Sequence, residues 1–527
     1  MKRIDSGNSS FEKIRQSGNI YIDKTKYLYN LLTDGRTYYF LSRPRRFGKS
    51  LTLSTLDAIF KGKRELFRGL YIDSTDYDWK EHPVVHIDFS KCQEDNKEEI
   101  KEWINDILFQ IAKEYKIKLN KKKSYSFNLD LLITELAKKE KVVVLIDEYD
   151  SLLNSNVNND NIEGIREVLR GFYSVIKASS TNIRFCFITG VTKFSKMSIF
   201  SSMNNLVDIS MSDEYSTMLG YTQEELEENF SEYIDKAVKE ENIKREEYLE
   251  KVKRWYDGYK FSANGESVYN PVSVGLFFSD GGGVFRNYWI NTGGMTYLLT
   301  EIAKRVKFDI SLDTESEIPE DILESTDIIQ MTRTEVNKSN FLVLLYQSGY
   351  LTIRKAELIG GSYVFTLGYP NREVEKGLNS ILLPVYLGSN NYISMPITLL
   401  SLFYKGKVDE ALKTLKATYA SIPYHEEVLR GENTVHAVFL AVMRIMGADI
   451  IGEKVTNIGR VDAVLTCPGD IYIIEFKFNQ SAEKAIEQIK EKKYYEGYLG
   501  TNKRIHLLGI NFSTEEKNIL EWKNEIL

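Results

Sequence analysis

Cysteine and histidine are scarce in this sequence. The three cysteines, Cys92, Cys186 and Cys467, lie far apart and form no Cys-x-x-Cys pair, and the chain contains only five histidines. Neither a disulfide framework nor a zinc knuckle can be assembled from so few, widely spaced ligands. This scarcity is typical of a protein that works in a reducing compartment.

Long apolar runs are also missing from the sequence. A membrane-spanning helix needs roughly 18 consecutive apolar residues, and a secretory signal needs an apolar segment after a basic start. The chain begins Met-Lys-Arg-Ile-Asp-Ser-Gly-Asn, which contains no such segment. We therefore expect a cytoplasmic protein with no membrane partner.

Charge of one sign does not dominate. Lysine and arginine number 69 against 75 aspartates and glutamates, so the formal net charge is −6. This balance excludes a wholly basic nucleic-acid binder and requires any nucleic-acid site to be local. With 27% charged and 43% hydrophobic residues the chain is globular in composition, and its 527 residues predict three to four domains of roughly 150 residues.

The N-terminal part alternates short apolar runs with longer segments of helical periodicity. Alternation of this kind predicts a parallel β-sheet flanked by helices. The predicted strands are 38–41, 84–89, 142–146 and 184–189, and the predicted helices are about 98–115, 129–140 and 162–179.

A candidate phosphate-binding loop follows the first predicted strand. In the pattern G-x-x-x-x-G-K-[ST], backbone N–H groups hold phosphate oxygens, the lysine reaches the β and γ phosphates, and the hydroxyl binds Mg²⁺. Here the first glycine is replaced by Arg43, and Pro44 removes one N–H group. The predicted nucleotide contacts are Arg45, Arg46, Phe47, Gly48, Lys49, Ser50 and Leu51.

Two carboxylates end the third predicted strand, as in a Walker B motif. Asp147 is predicted to hold Mg²⁺ together with Ser50, and Glu148 is predicted to polarise the water that attacks the γ-phosphate. Thr189 ends the fourth strand, where a polar group would sense that phosphate. The alternative is structural: the carboxylates merely begin a loop, and Lys49 is an ordinary lysine at a helix N-terminus.

A second group of charged residues lies near the C-terminus, on two predicted strands joined by a Pro-Gly turn. Glu475 and Lys477 are two residues apart and share one face of their strand, and Asp462 lies on the partner strand. The spacing D-x(12)-E-x-K resembles the PD-(D/E)XK nuclease core. Asp462 and Glu475 are predicted to bind a divalent metal with Lys477 as a catalytic partner, and Glu432 on a preceding helix is a further metal candidate. The alternative is a salt bridge on an exposed hairpin.

Downstream, a helix predicted over 482–498 carries Gln488, with Lys492 and Tyr495 on the same face. This face is expected to contact DNA or the metal site. The residue four positions after Gln488 is Lys492, so the sequence departs from the Q-x-x-x-Y pattern of RecB-like nucleases.

Composition shifts divide the chain into four predicted domains. After residue 211 acidic helices at 223–233 and 245–256 replace the β/α pattern, and around 341–367 a helix and two strands are compatible with a small winged-helix unit. The predicted domains are a P-loop domain over 1–211, a helical lid-like domain over 212–305, a connector over 306–423 and a nuclease-like domain over 424–527.

The chain as a whole resembles bacterial AAA-ATPase-like proteins that carry a C-terminal PD-(D/E)XK nuclease domain. In that family the Arg-Pro-Arg-Arg form of the loop is usual. The resemblance implies a multidomain α/β protein with a P-loop NTPase parallel sheet, a helical middle region and a C-terminal restriction-endonuclease-like α/β domain. The segments that carry it are Tyr21-Ile-Asp-Lys-Thr, Phe40-Leu-Ser-Arg-Pro-Arg-Arg-Phe-Gly-Lys-Ser, Leu145-Ile-Asp-Glu-Tyr-Asp, Gly190-Val-Thr-Lys-Phe-Ser, Trp255-Tyr-Asp-Gly-Tyr, Gly459-Arg-Val-Asp, Ile473-Ile-Glu-Phe-Lys and Glu487-Gln-Ile-Lys.

These features together predict an ATP-binding protein that controls a Mg²⁺-dependent nuclease. The expected cofactors are ATP and Mg²⁺, the expected substrate is nucleic acid, in the first place DNA, and the architecture suggests defence against foreign DNA. One alternative is an ATP-dependent regulatory or DNA-binding switch with an inactive nuclease fold, and another is the toxin half of a paired system. ATP hydrolysis and assembly into a homo-oligomer stay open at this stage.

Overall fold

A computed structural model of the chain shows two compact units. The first consists of Met1–Gly294 and Glu317–Asn371, and the second of Met295–Ser316 and Arg372–Leu527. The predicted boundaries after residues 211, 305 and 423 remain predictions. The structure describes residues 1–157, 159–193, 200, 203, 205–291, 299–300, 302–303, 316–325, 338–387, 395–420, 432–445, 448–455 and 459–527.

The first unit contains a parallel sheet of five strands within the part of the chain that the structure describes. The order is β2-β3-β4-β1-β5, and every pairing is parallel. Strand β4 therefore lies between β1 and β3, so that the loops after these three strands meet at one edge of the sheet. The strands are β1 (Tyr38–Ser42), β2 (Val84–Asp88), β3 (Val142–Asp147), β4 (Ile183–Gly190) and β5 (Val207–Asp208).

Helices surround this sheet and extend the first unit. Every residue of β1 and β3 is buried, as expected for parallel strands covered on both faces. The described helices of this unit are α1 (Phe11–Gln16), α2 (Thr25–Thr33), α3 (Lys49–Phe60), α4 (Lys97–Glu114), α5 (Tyr125–Ala137), α6 (Ser151–Ser155), α7 (Ile162–Ala178), α8 (Gln223–Asn229), α9 (Ser231–Glu241), α10 (Arg245–Tyr256), α11 (Pro271–Ser279), α12 (Tyr288–Asn291), α13 (Glu320–Ser325) and α14 (Lys338–Gln347).

The predicted helices of the sheet domain are observed, because their periodicity reflects real burial. In α4 the side chain of Asn96 caps the first turn by accepting from the Glu99 N–H group, and Ile100, Ile104 and Leu108 at intervals of four residues are fully buried. The helix predicted over 223–233 is instead two helices, α8 and α9, separated at Phe230, whose backbone (φ −113°, ψ 14°) is not helical.

A small three-stranded sheet follows, in the order β6-β8-β7. Its strands are β6 (Ser316–Pro319), β7 (Thr352–Ile359) and β8 (Ser362–Gly368). Helix α14 followed by the β7–β8 hairpin reproduces the predicted helix and two strands, although the first strand begins at Thr352 rather than at Gly349. The winged-helix interpretation remains a prediction.

The second unit is built on a mixed sheet in the order β13-β12-β11-β10-β9. Strand β11 is central and pairs antiparallel with β10 and parallel with β12. The strands are β9 (Asp449–Val455), β10 (Arg460–Thr466), β11 (Asp470–Phe478), β12 (Arg504–Ser513) and β13 (Asn518–Ile526), and the described helices are α15 (Arg372–Leu387), α16 (Met395–Tyr404), α17 (Val408–Ala420), α18 (Glu432–Ile445) and α19 (Ala482–Glu491).

Helix α19 is shorter than the helix predicted over 482–498. It ends at Glu491, and Lys493 has a left-handed backbone (φ 46°) that does not continue a helix. Tyr495 therefore does not continue the helical face of Gln488.

No helix in the described chain has both the length and the apolar composition needed to cross a membrane.

Candidate functional site

A cavity of about 560 Å³ lies at the N-terminus of α3 in the first unit. This volume is in the range of small-molecule sites. All seven predicted loop residues, Arg45 through Leu51, line it, and so does Glu148. Asp147 and Thr189 are not among its lining residues. The structure thus brings the predicted loop and one of the two strand-end carboxylates to one cavity.

The loop has the backbone shape that an anion cradle needs. Gly48 is the N-cap of α3 and has a φ of 100°, a left-handed conformation that favours glycine. The first N–H groups of a helix have no partner within it and attract anions. Phe47 anchors the loop, because its buried ring packs edge-on against Tyr259 and Phe261.

Arg43, which stands where the pattern has its first glycine, points away from the cavity and is 2% exposed. Its guanidinium donates to the carbonyls of Ser42 and Ser210 and, at 3.3 Å, of Tyr215, and it lies 4.2 Å over the ring of Phe261. Burial lowers the pKa of this guanidinium to about 10. The arginine therefore fastens the loop to the body of the unit.

The ammonium of Lys49 is buried and turned towards its own loop. It donates to the carbonyls of Arg43 (3.0 Å) and Pro44 (3.2 Å), and it lies 3.6 Å from Oε1 of Glu148. Lys49 is the first residue of α3, so its side chain starts at the helix end whose N–H groups attract anions.

Glu148 directly follows β3 and has a φ of 50°, which is unusual for a residue with a side chain. Burial raises the pKa of its carboxyl, Lys49 opposes this rise, and the carboxylates of Asp150 and Asp147 add to it. A carboxyl whose pKa is raised, and which lies near a cation, is suited to accept a proton from water.

Asp147 and Thr189 are hydrogen-bonded to each other at adjacent strand ends. The Thr189 hydroxyl donates to Oδ1 of Asp147 at 2.6 Å, and the N–H of Glu148 donates to the same oxygen at 3.1 Å. Asp147 is 3% exposed. The predicted sensor residue thus contacts the predicted metal residue.

Asp150, the third carboxylate of the segment, has a structural role. Its oxygens accept from the N–H groups of Val191 and Thr192, the Thr192 hydroxyl and the Asn154 amide. Gly190 permits this approach, since a Cβ at this position would lie 2.4 Å from the Tyr149 ring. The clamp fixes the loop after β4 to the loop after β3.

Sequence reasoning missed the rest of the cavity wall. It includes the N-terminal segment Ile4–Ser9, Met218–Tyr221, Lys24 and part of α11. Lys24 donates to the Thr217 carbonyl and pairs with Glu225 at 2.7 Å. These segments follow no nucleotide-binding pattern, so only the fold reveals them.

In the second unit the three predicted catalytic residues lie together on the central hairpin. Ala463 of β10 pairs with Ile474 of β11, so the antiparallel register places Asp462 beside Glu475. Oδ2 of Asp462 accepts from the N–H of Phe476 at 2.7 Å. Glu475 is 3% exposed and sits on the middle strand of the sheet, which differs from the exposed hairpin of the salt-bridge alternative.

Gln488 of α19 joins the other two polar groups of this site. Nζ of Lys477 donates to Oε1 of Gln488 at 2.6 Å and lies 3.3 Å from Oε1 of Glu475, and the Gln488 amide donates to that same Glu475 oxygen. Among the described residues, Oε2 of Glu475 is buried without a hydrogen-bond partner. Burial and the adjacent Asp462 raise the pKa of Glu475 to about 7, against the lowering effect of Lys477.

Two further residues at this site were not predicted. His436 of α18 places Nε2 3.5 Å from Oδ2 of Asp462 and packs its ring on Phe476. Tyr494 donates to the Arg460 carbonyl at 2.8 Å and lies near Gln488. The spacing of four residues between Glu432 and His436 is the signal that could have found the histidine. Glu432 begins α18, but its side chain lies outside the described residues.

The donor set at the hairpin fits a hard divalent cation in part. Two adjacent carboxylates, one with an unpartnered buried oxygen, provide the oxygen ligands that Mg²⁺ prefers. In the described ranges no group of three or more His, Cys, Asp and Glu side chains is arranged to hold a metal. Asp462 and Glu475 are therefore the residues that would hold a cation, and further ligands would come from water, substrate or Glu432.

Comparison with known proteins gives two family matches and one full-length relative. Residues 5–200 match the family described as predicted AAA-ATPase, and residues 430–522 match the PD-(D/E)XK nuclease superfamily. The chain is 34% identical over 537 aligned positions to an uncharacterized protein in the vnfD 5′ region of Azotobacter chroococcum mcd 1, and the alignment covers 100% of this chain and 99% of the relative.

Proposed function

Because the chain belongs to the AAA-ATPase-like proteins with a C-terminal PD-(D/E)XK nuclease domain, we propose that it is an ATP-controlled nuclease. The first unit binds ATP. The second unit cleaves phosphodiester bonds, and DNA is the substrate that we propose first. The observation that carries this proposal is the convergence of Lys477 and Gln488 on Oε1 of Glu475, next to Asp462, while Oε2 of the same carboxylate is buried without a partner among the described residues.

At the nucleotide site each residue has a separate role. The N–H groups at Gly48 and at the start of α3 hold phosphate oxygens, and Lys49 neutralises the β and γ phosphates. Ser50 and Asp147 would hold Mg²⁺, and Thr189 positions Asp147. Glu148 orients the attacking water and accepts its proton.

At the nuclease site Asp462 and Glu475 would hold the divalent cation. When bound, that cation lowers the pKa of a water ligand and neutralises charge on the scissile phosphate. Lys477 adds a fixed positive charge next to the phosphate, and Gln488 holds the lysine in place by accepting from its ammonium. Cleavage of foreign DNA in defence is the biological role that we propose for this activity.

A switch protein with an inactive nuclease fold is the second candidate. It is favoured by the 3.3 Å pair between Lys477 and Glu475, since a lysine committed to this carboxylate would be the structural salt bridge of an unused site. The two candidates differ in whether nucleic acid is cut.

The deciding experiment incubates the purified full-length protein with supercoiled DNA, linear DNA, single-stranded DNA and RNA, with Mg²⁺ or EDTA, and with or without ATP. We expect Mg²⁺-dependent cleavage that changes when ATP is added. Glu475→Gln removes the ionised ligand and should abolish cutting, and Glu487→Gln, on the exposed face of α19, should cut like the wild type. Binding of nucleic acid without cleavage by the wild-type protein in every condition would favour the switch.

A further inference from the structure

A second, much smaller cavity adjoins the phosphate-binding loop. Its volume is about 20 Å³, and it shares no lining residue with the large cavity. Arg43 and Pro44 contribute to it from the loop, and Lys193 and Gln347 contribute from the segment after β4 and from α14. A space of roughly 10–15 Å³ holds one water molecule, so this cavity accepts one particle of about that size and excludes a phosphate.

The charged residues that line this cavity are both cations. They are Arg43 and Lys193, and no carboxylate is among the lining residues. Lys193 is 2.9 Å from Oδ2 of Asp208, which balances that charge. Arg43 donates to main-chain carbonyls and has no carboxylate within ion-pair distance among the described residues, although the charge of Asp208 acts on it from farther away. A buried charge of this kind is costly unless an opposite charge is near.

Two residues that line the cavity carry hydrogen-bond donors that lack acceptors. Nε of Arg43 and Nε2 of Gln347 are both buried without a partner among the described residues, and the two side chains are 2% and 6% exposed. The orientation of the Gln347 amide is fixed, because its Oε1 accepts from the N–H of Lys193 at 3.0 Å. The unpartnered atom of this amide is therefore a donor.

We propose that this cavity is a binding site for a monatomic anion, which is chloride under cellular conditions. A halide ion accepts from both unpartnered donors and gives Arg43 a negative charge at ion-pair distance. A water molecule would accept from the donors but would leave Arg43 without an ion-pair partner, and a metal cation would be repelled. The ion would fasten the side chain of Arg43, whose carbonyl holds Lys49, so the site supports the loop without touching the nucleotide.

The test measures thermal unfolding of the full-length protein in chloride or bromide, with sodium gluconate keeping the ionic strength constant. We expect the midpoint of the wild-type protein to rise with halide and to saturate, because a bound ion stabilises the folded state. Gln347→Glu places a carboxylate oxygen where the amide donor was and keeps the oxygen that accepts from Lys193. This variant should fold and should have no saturable halide response.

Gln110→Glu is the matched control, since it adds the same charge on an exposed surface of α4 and should respond like the wild type. In crystals grown in bromide, the anomalous map should contain a peak next to Nε of Arg43 and Nε2 of Gln347. Equal halide responses in the wild type and in Gln347→Glu, or a cavity without an anomalous peak, would overturn the proposal and assign the cavity to water.

Discussion

Lys49 Nζ lies 3.6 Å from Glu148 Oε1, and both side chains line the same cavity. The lysine supplies the positive charge next to the carboxylate of Glu148, whose side chain is 20% exposed. Phosphate oxygens would draw the ammonium away from Glu148 as well as from the loop carbonyls. Substitutions at the two residues should therefore separate nucleotide binding from hydrolysis.

Lys49→Ala should weaken ATP binding by about 100-fold or more, because charge-assisted hydrogen bonds contribute roughly 1.5–3 kcal/mol each and the ammonium neutralises the β and γ phosphates. Isothermal titration of the full-length protein with ATP measures this. Lys61→Ala, at the exposed end of α3 where the lysine pairs with Asp57, should bind like the wild type. Wild-type affinity in Lys49→Ala would refute the assignment of the loop.

Glu148→Gln should keep ATP binding and slow hydrolysis by about 100-fold or more, because the amide can orient water but cannot take its proton. Phosphate release under saturating ATP gives the rate, and titration gives the affinity. The matched control is Glu135→Gln, whose glutamate pairs with Lys138 on the surface. If Glu148→Gln hydrolyses ATP at the wild-type rate, the catalytic base lies elsewhere.

Asp150→Ala should lower the free energy of unfolding of the first unit by about 3 kcal/mol, because several buried donors would lose their acceptor. Asp150→Asn keeps one carbonyl oxygen and should lose less. Thermal unfolding in the absence of nucleotide measures both variants. A midpoint unchanged from the wild type would show that the clamp carries little stability.

Gln488→Ala should lower the rate of DNA cleavage by about tenfold or more, because Lys477 would lose the group that holds its ammonium. Initial rates at saturating Mg²⁺ measure the effect. Lys490→Ala, on another face of the same helix where the lysine pairs with Glu525, serves as the control. Cleavage by Gln488→Ala at the wild-type rate would limit the glutamine to a packing role.

Metal binding at the nuclease site should depend on pH through Glu475. Its pKa is raised to about 7 in the folded protein from 4.5, so the neutral carboxyl stabilises the metal-free fold below about pH 4.5, and this contribution is lost as the pH rises through about 7. A cation needs the ionised form. The increase in unfolding midpoint that Mn²⁺ gives over EDTA should be small at pH 6 and larger at pH 8.

Glu475→Gln should abolish the part of this pH dependence that comes from the second unit, because its amide does not titrate. Any Mn²⁺ response that remains belongs to the nucleotide site. A response of equal size at pH 6 and pH 8 in the wild type would mean that Glu475 does not bind the cation.

The sequence predicted the sheet of the first unit well because its strands are buried on both faces and therefore read as continuous apolar runs, as in Val142–Asp147. It also placed Asp462, Glu475 and Lys477 on one hairpin, since register follows from strand alternation. Tyr494 could not be predicted, because it reaches the hairpin through tertiary packing, whereas the spacing of four residues from Glu432 was the signal for His436 that the prediction did not use. The helix end at Glu491 depends on a left-handed Lys493, for which the sequence gives no glycine signal.

The carbonyls of Arg43 and Pro44 accept hydrogen bonds from Lys49 and so compete with a phosphate for its ammonium. A nucleotide contacts the ammonium only after these hydrogen bonds break. The free energy of nucleotide binding is therefore reduced by the free energy of the contacts that are lost. These two carbonyls therefore limit how tightly the site can hold a nucleotide, because a phosphate must outcompete both of them for the ammonium.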